Sequence, residues 1–595
     1  MSWELDATDW TRQLSSPLHD GNNPKSLRAS IAAAISMSLS LTTAGRLGFF
    51  IDYSELETVG THNFYVTRTH GSQGAVGCTW TAYDSADGAQ LATGSLSWAN
   101  HSLDVLSFQV PVTSKPAGDH RVYVLLSNPT GGAALHHGEH TVAYGIIDDD
   151  TIATSNAIFI DADAATNGTG TQASPYNNWY SARDAVLTTT RYIYIKGLMI
   201  PDDTDDILLS TAVKHLAMRG TFEGRNSEAQ RLIIRSWPNF VGGVDGGGQT
   251  DVMGFGCDGG ASSTGTVRYI TLRKLSGTNL NTSSGTEASG WVSFLRTRSS
   301  ASDVIEHWTT ENILVDNIVS GGNSISSAWF SETGSHFKLW RWTFRNSSLV
   351  NRADGVVHLF QGYDTDNVSV QRCSMTSNVG GIYEKEGSRQ GAFKVGVSAR
   401  FNHFDGSFYT VSTQGGSQIM DYHICQNNIF SNTLNITHST PVSFRQSSTL
   451  TFGSKQVVSN NIFYNYDYSG YAALTVLHEG FDGLLIYNNI FYETTNAWRF
   501  STGVSPAEFI DYNYYQNSAL SNEPTFYYFG PDGIPTLSGL QENTSFEENA
   551  KTGATLFNDA QNADFTLNVN SDAITGGISN TPVGVYNASF FQVGV

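Results

Sequence analysis

Three short strings decide the fold: QNNIF at 426–430, SNNIF at 459–463 and YNNIF at 487–491. Each joins a pair of turn-forming Asn residues to an apolar pair. Counted on Phe404, Phe430, Phe463 and Phe491, the motif recurs in steps of 26, 33 and 28 residues. Looser copies stand at ENILVDNI (311–318), WTFRN (342–346), RFNHF (400–404) and DYNYYQN (511–517). A period of this size with drifting length predicts a solenoid carrying loop insertions, whereas a propeller repeats at about 40 residues. Stacked coils place like residues above one another, so Ile and Phe are expected inside. Asn is expected to take the left-handed turn and to hydrogen-bond its own copy in the next coil. The reading is an all-β chain dominated by a right-handed parallel β-helix over residues 156–545.

Composition agrees. Only 15% of the 595 residues are charged, while 58 Gly, 26 Tyr and 32 Phe favour strands and turns over helices. A net charge of -21 argues against nucleic acid as a partner, because that affinity rests on clustered Lys and Arg. Cys78, Cys257, Cys373 and Cys425 fit neither a disulfide framework nor a metal site, and are expected to be buried hydrophobes. No stretch reaches the roughly 18 apolar residues of a membrane span, so no membrane insertion is expected. ASIAAAISMSLSL (29–41) looks like a signal-peptide core, but the acidic residues before it are unlike a basic leader. The expectation is a chain without such a leader.

Outside the coil, residues 1–45 carry Leu27, Ile31, Ile35 and Leu39 at helical spacing, predicting a short amphipathic helix for attachment or packing. Residues 46–152 alternate in six segments, RLGFFIDYSEL, HNFYVTRT, CTWTAYD, VLSFQVPV, HRVYVLLSNP and HTVAYGII, which predict a β-sandwich. This region resembles the Calx-β family through VTRTHGSQGAV (66–76), LSNPTGGAAL (126–135) and IIDDD (146–150). The resemblance implies Ca²⁺ as cofactor at one end of the sandwich, held by Glu55 or Glu57 with Asp148, Asp149 and Asp150. The sequence departs from the family before the penultimate strand, where Asp119, His120 and Arg121 stand in place of its usual acidic residues. AIFIDADAATNGTGTQASPYNNWYSARDAV (157–186) resembles the opening of pectate-lyase-like proteins, with a helix from about Trp179 closing the coil. FNDAQNADFTLNVNSDAITGGISNTPVGVY (557–586) resembles their closing module, and residues 546–595 are expected to cap the other end.

Aligning the coils on the NNIF ladder brings a second ladder into register. It comprises SAWFSE (327–332), VVHLFQGYD (356–364), GIYEKEGSR (381–389), FYTVSTQGG (408–416), VSFRQSS (442–448) and LTVLHEGFDG (474–483). Its polar ends define a candidate groove for a sugar polymer. Substrate-binding candidates are Trp329, Glu332, Gln361, Tyr363, Tyr383, Arg389, Tyr409, Gln414, Arg445 and His478. Catalytic candidates are Asp364, Glu384, Lys385, Glu386 and Glu479. Hydrolysis needs two carboxyl groups about 5 to 9.5 Å apart, and Glu386 with Glu479, or Glu384 with Asp364, are the pairs. β-Elimination needs a base and a cation. The surroundings of Lys385 are similar to those of β-helix alginate and chondroitin lyases, but the arginine that family places on the next strand falls at Gln414.

Three functions fit. The first is a virion-surface tail spike or fibre that binds, with or without degrading, a host polysaccharide; family resemblance implies a homotrimer working with other virion proteins. The second is an extracellular or cell-surface polysaccharide lyase or hydrolase. The third is an adhesive or structural rod without catalysis.

Overall fold

The computed structural model describes residues 43–136, 141–201, 214–218, 222 and 224–249, and from there the strands and turns of the coil to residue 573; residues 1–42 and 574–595 lie outside the description, as do most inter-strand loops. The expected N-terminal helix at Leu27–Leu39 therefore falls outside the described residues.

The first nine strands are β1 (Arg46–Ile51), β2 (Tyr53–Leu56), β3 (Gly60–Thr69), β4 (Val76–Asp84), β5 (Gln90–Trp98), β6 (Leu106–Val112), β7 (His120–Thr130), β8 (Ala134–Leu135) and β9 (Val142–Ile147). They form two sheets, in order β6-β3-β1-β8 and β2-β9-β7-β4-β5. Strict alternation makes this possible: β6 reads LSFQVPV, with Phe108, Val110 and Val112 buried between exposed partners. Trp80 stacks on Phe108 at 4.2 Å in the shared core.

From Ala157 onward the chain winds as a parallel β-helix with three ladders. The first runs from Ala157–Asp161 through Leu232–Ser236, Thr266–Arg273 and Val397–Arg400 to Phe509–Asp511. The second includes Ile429–Ser431, Ile462–Tyr464, Ile490–Tyr492 and Tyr514–Gln516. A tight Asn turn separates it from the first. The third is a 12-stranded sheet, parallel until its last pair.

The NNIF motif divides its labour. The first Asn of each pair, at Asn427, Asn460 and Asn488, takes the left-handed conformation with φ near 56°. The second is fully buried and builds a continuous hydrogen-bonded ladder. Asn428, Asn461 and Asn489 each donate Nδ2 to a carbonyl of the preceding coil and to the Oδ1 of the next coil's Asn. That Oδ1 also accepts the backbone N–H of the Asn above it.

The apolar pair is divided as well, and here the structure corrects the expectation that both residues point inward. Phe404, Phe430, Phe463, Phe491 and Tyr515 stack inside at 4.9, 5.2, 4.8 and 5.1 Å. Ile429, Ile462 and Ile490 belong to a separate cluster with Phe557 and Phe565 of the terminal hairpin Phe557–Asp559/Asp564–Leu567. Period-two alternation forces neighbours in a strand onto opposite faces, so the terminal hairpin covers what would otherwise be an exposed Ile stripe.

Both ends of the coil are closed. Helix α1 (Trp179–Ala185) is capped by Asn178, whose side chain accepts the Ser181 N–H, and it buries Trp179 against Phe222 and Phe255. At the far end α2 (Leu537–Asn543) contributes Leu537 and Leu540 to the core. The Asn ladder ends on Glu547, whose Oε1 accepts from Asn513 Nδ2 at 2.8 Å and from the Tyr515 hydroxyl.

Burial pushes the Glu547 carboxyl up from 4.5 to about 8, so it is a neutral acid at pH 7. A carboxyl raised on folding stabilises most at low pH, and that contribution is lost as pH rises from about 4.5 through about 8. Wild-type stability is expected to fall over this window with a limiting slope of about 1.4 kcal/mol per pH unit, and Tm with it. Glu547→Gln, which keeps an acceptor without the charge, should flatten the slope. Equal slopes in thermal melts from pH 5 to 9 would refute the assignment.

Candidate functional site

The six segments read as a second ladder are consecutive strands of the third sheet: Ser327–Ser331, Val357–Tyr363, Val379–Glu386, Tyr409–Thr413, Val442–Gln446 and Leu474–Val476. Register sorts the candidates into rows. Gln361, Tyr383, Thr410, Ser443, Thr475 and Arg499 form one row. Tyr363, Lys385, Ser412 and Arg445 form another, with Lys385 and Arg445 two strand spacings, about 10 Å, apart. Glu386 shares a row with Thr413 and Gln446.

Between these, Glu384 shares a row with Val411, Phe444, Val476 and Phe500, of which the last three are buried. Trp329 shares the row of Phe360, Ile382, Val442 and Leu474, all core residues.

Tyr409 also stands in this core row, which corrects its assignment to the groove. It is fully buried, donates its hydroxyl to the Val397 carbonyl at 3.0 Å and packs edge-on to Phe444. Its strand begins at Tyr409 with an inward position, a phase that the sequence of one short segment does not fix. Glu332, Asp364, Arg389, Gln414, His478 and Glu479 lie outside the described residues. Each proposed carboxylate pair therefore has one member there, and register alone fixes no carboxyl separation.

The candidate metal centre is better defined, and its carboxylates are engaged by cations of the chain itself. Among the described residues no group of three metal-ligating side chains gathers. The carboxylates expected to hold calcium meet cations of the β-helix instead, because the sandwich lies along the outer side of the first ladder. Asp148 pairs with Arg273 at 3.3 Å, Lys274 at 2.5 Å and Arg235 at 3.8 Å. Burial alone would raise its carboxyl, but these three cations hold it at about 2.

Glu55 pairs with Arg273 and Arg341. Asp149 pairs with Lys115 and accepts from Thr151, Asp150 is 3.7 Å from Arg235, and Glu57 is exposed. The departure noted at Asp119 and Arg121 has a use. Asp119 pairs with Arg235 and Arg273, and Arg121 reaches Glu311 of the helix at 2.6 Å.

The rest of the seam is equally specific. Tyr53 stacks on Trp340 at 3.9 Å, and Phe50 meets Phe401 edge-on at 5.1 Å. Lys338 donates to Asp52 at 2.6 Å and to the Val142 carbonyl, Ser369 donates to the same Asp52 oxygen, and Arg400 donates to the Phe49 and Phe50 carbonyls. Tyr144 donates to Glu228, which also holds Arg231.

Sequence reasoning missed this seam. Its signal was a recurrence of cations toward the ends of first-ladder strands: IIRS (233–236), TLRK (271–274), KLWR (338–341) and SAR (398–400).

The molecule is thus an all-β protein in which a docked β-sandwich braces a parallel β-helix. Its sandwich is similar to solved calcium-binding Calx domains. The apo-form Calx CBD1 domain matches at 21% identity over 18% of this chain and 96% of that one, with a TM-score of 0.16. The CBD12 pair from CALX1.2 matches at 21% over 20% and 53%, again with a TM-score of 0.16. The Agl-KA catalytic domain matches at 14% identity over 76% of this chain and 87% of that one, with a TM-score of 0.17. No family model matches the chain, and no curated protein does.

Proposed function

We propose that the chain is a tail-spike or fibre-like protein of a virion surface that binds a host surface polysaccharide along its third ladder. In this reading it acts as a homotrimer beside other virion proteins. The observation that carries the binding step is the polar row Tyr363, Lys385, Ser412 and Arg445, which continues in register from coil to coil beside a second row, Gln361 to Arg499, whose Ser443 and Thr475 are buried. A repeating row suits a repeating polymer, since successive sugars meet equivalent groups. The sandwich occupies the first ladder and the terminal hairpin the second, and among the described residues neither packs on the third.

The row joining Lys385 to Arg445 favours an acidic glycan and gives a second reading some footing: an extracellular polysaccharide lyase or hydrolase. Retention on a panel of acidic and neutral polysaccharides tests binding, and reducing-end and unsaturated-uronate assays test cutting. Lys385→Ala combined with Arg445→Ala is expected to weaken acidic-glycan binding at least tenfold and to reduce its salt dependence. Retention of no glycan by the wild type, or equal binding by the double variant, would sink the groove reading. Product in either assay would favour the enzyme reading.

A further inference from the structure

Three carboxylates of the sandwich, from three separate places in its chain, converge on one positive charge. Glu55 lies in β2, Asp119 directly precedes β7 and Asp148 directly follows β9. The charge is the guanidinium of Arg273, at the end of a β-helix strand. Its Nη2 is 2.5 Å from Glu55 and 3.3 Å from Asp148, its Nε is 3.2 Å from Asp119, and its Nη1 is 2.8 Å from Glu311 of the helix itself. The side chain is 1% exposed. Arg235 and Lys274 flank it, touching Asp119 and Asp148.

We propose that the acidic end of the sandwich is a cation site whose occupant is Arg273, so that docking onto the β-helix takes the place of a bound calcium ion. Calcium binds carboxylate oxygens at about 2.3–2.6 Å. An ion placed among Glu55, Asp119 and Asp148 would meet the guanidinium that already lies 2.5 to 3.3 Å from all three, and would add two further positive charges beside it. The backbone of Arg273 is paired on both sides, to Arg235 and to Glu311, and its guanidinium is held by four carboxylates at 1% exposure. Calcium could enter only by breaking those ion pairs. The sandwich then acts as a permanently seated brace, its seat chosen by planar, multiply hydrogen-bonding guanidinium recognition of carboxylates.

The test uses the full chain, titrated with calcium chloride against sodium chloride at equal ionic strength, after removal of divalent ions with a chelator. Calorimetric binding and thermal melts are the readouts. Wild type is expected to show no saturable heat and no calcium-specific Tm shift. Arg273→Gln removes the charge and leaves the carboxylates facing one another. It should melt earlier than wild type and recover part of the loss saturably with calcium. Arg273→Lys, which keeps a charge, should stay indifferent.

Saturable calcium binding with a raised Tm in wild type overturns the proposal, as does an Arg273→Gln chain that responds to calcium no more than wild type. Should Arg273→Gln fail to fold, the wild-type arm still decides, and Arg341→Gln, which removes a different partner of Glu55 and leaves Arg273 seated, should stay as indifferent to calcium as wild type; a saturable calcium response there would overturn the proposal.

Discussion

Asn461→Ala is expected to destabilise the β-helix by roughly 3–5 kcal/mol, although the substitution removes no charge and only a small volume. The Asn461 side chain is fully buried and makes four ladder bonds. It accepts from the Asn428 backbone N–H and Nδ2, and it donates to the Cys425 carbonyl and to Asn489 Oδ1. Alanine leaves those four groups short of a partner in a site too tightly stacked for water to replace each one. An orphaned buried polar group costs about 1–3 kcal/mol, and the penalties add imperfectly because the ladder is one connected network.

The neighbouring Asn460→Gly supplies the contrast. Asn460 is chosen for its backbone, with φ at 57°, and glycine adopts that conformation without strain. Its expected effect is below about 1 kcal/mol. Tm and half-life under limited proteolysis measure both, since a chain this long need not unfold reversibly. A ranking in which Asn460→Gly is the more damaging would refute the division of roles between the two Asn residues.

That division shows where sequence reading succeeds and where it stops. The coil was legible because its signal is local and repeated: the register from Phe404 through Phe430 and Phe463 to Phe491 pairs the residues the spacing aligned. The six segments of the third ladder are likewise neighbours in the order they were read. The sandwich was legible from alternation, although β5, QLATGSLSW, was passed over because its few large apolar residues are a weak signal.

The side-chain assignments were less secure for a physical reason. An Ile–Phe pair in a strand looks uniformly apolar, and only the presence of the distant Phe557 hairpin tells that the Ile side is covered. Arg235, Arg273 and Arg400 look like ordinary solvated surface in sequence, because the partner that buries them lies more than a hundred residues away in the chain. The same distance made the acidic end of the sandwich look like a metal site. Carboxylate density is visible in sequence, but the charge that neutralises it is not.

Glu311→Ala should produce the second large loss, and it should appear at the seam before it appears in the coil. Glu311 belongs to the β-helix, is fully buried, and receives Arg121 Nη1 at 2.6 Å on one oxygen and Arg273 Nη1 at 2.8 Å on the other. Burial by itself would raise its carboxyl, yet the two guanidiniums hold it below the ordinary range, so it is charged at neutral pH. Its removal strands Arg121, a sandwich residue whose remaining partners at the seam are the Thr271 and Thr309 hydroxyls and the Tyr144 ring.

Breaking a buried ion pair from one side costs about 3–5 kcal/mol, because the surviving charge stays desolvated. Arg273, the coil partner of Glu311, keeps Glu55, Asp119 and Asp148, whereas Arg121 has no other ion pair as close among the described residues, so the loss falls mainly on docking. Trp340 is the natural reporter, since it is 2% exposed and stacked on Tyr53 across the seam. Its emission is expected to shift to the red at a lower temperature than the loss of β-sheet signal in Glu311→Ala, while the two transitions coincide in wild type. Arg121→Leu combined with Glu311→Leu removes both charges together and should recover much of the stability lost by either single change. Coincident transitions in Glu311→Ala, or a double variant as weak as the sum of its singles, would show that the pair does not hold the sandwich to the helix.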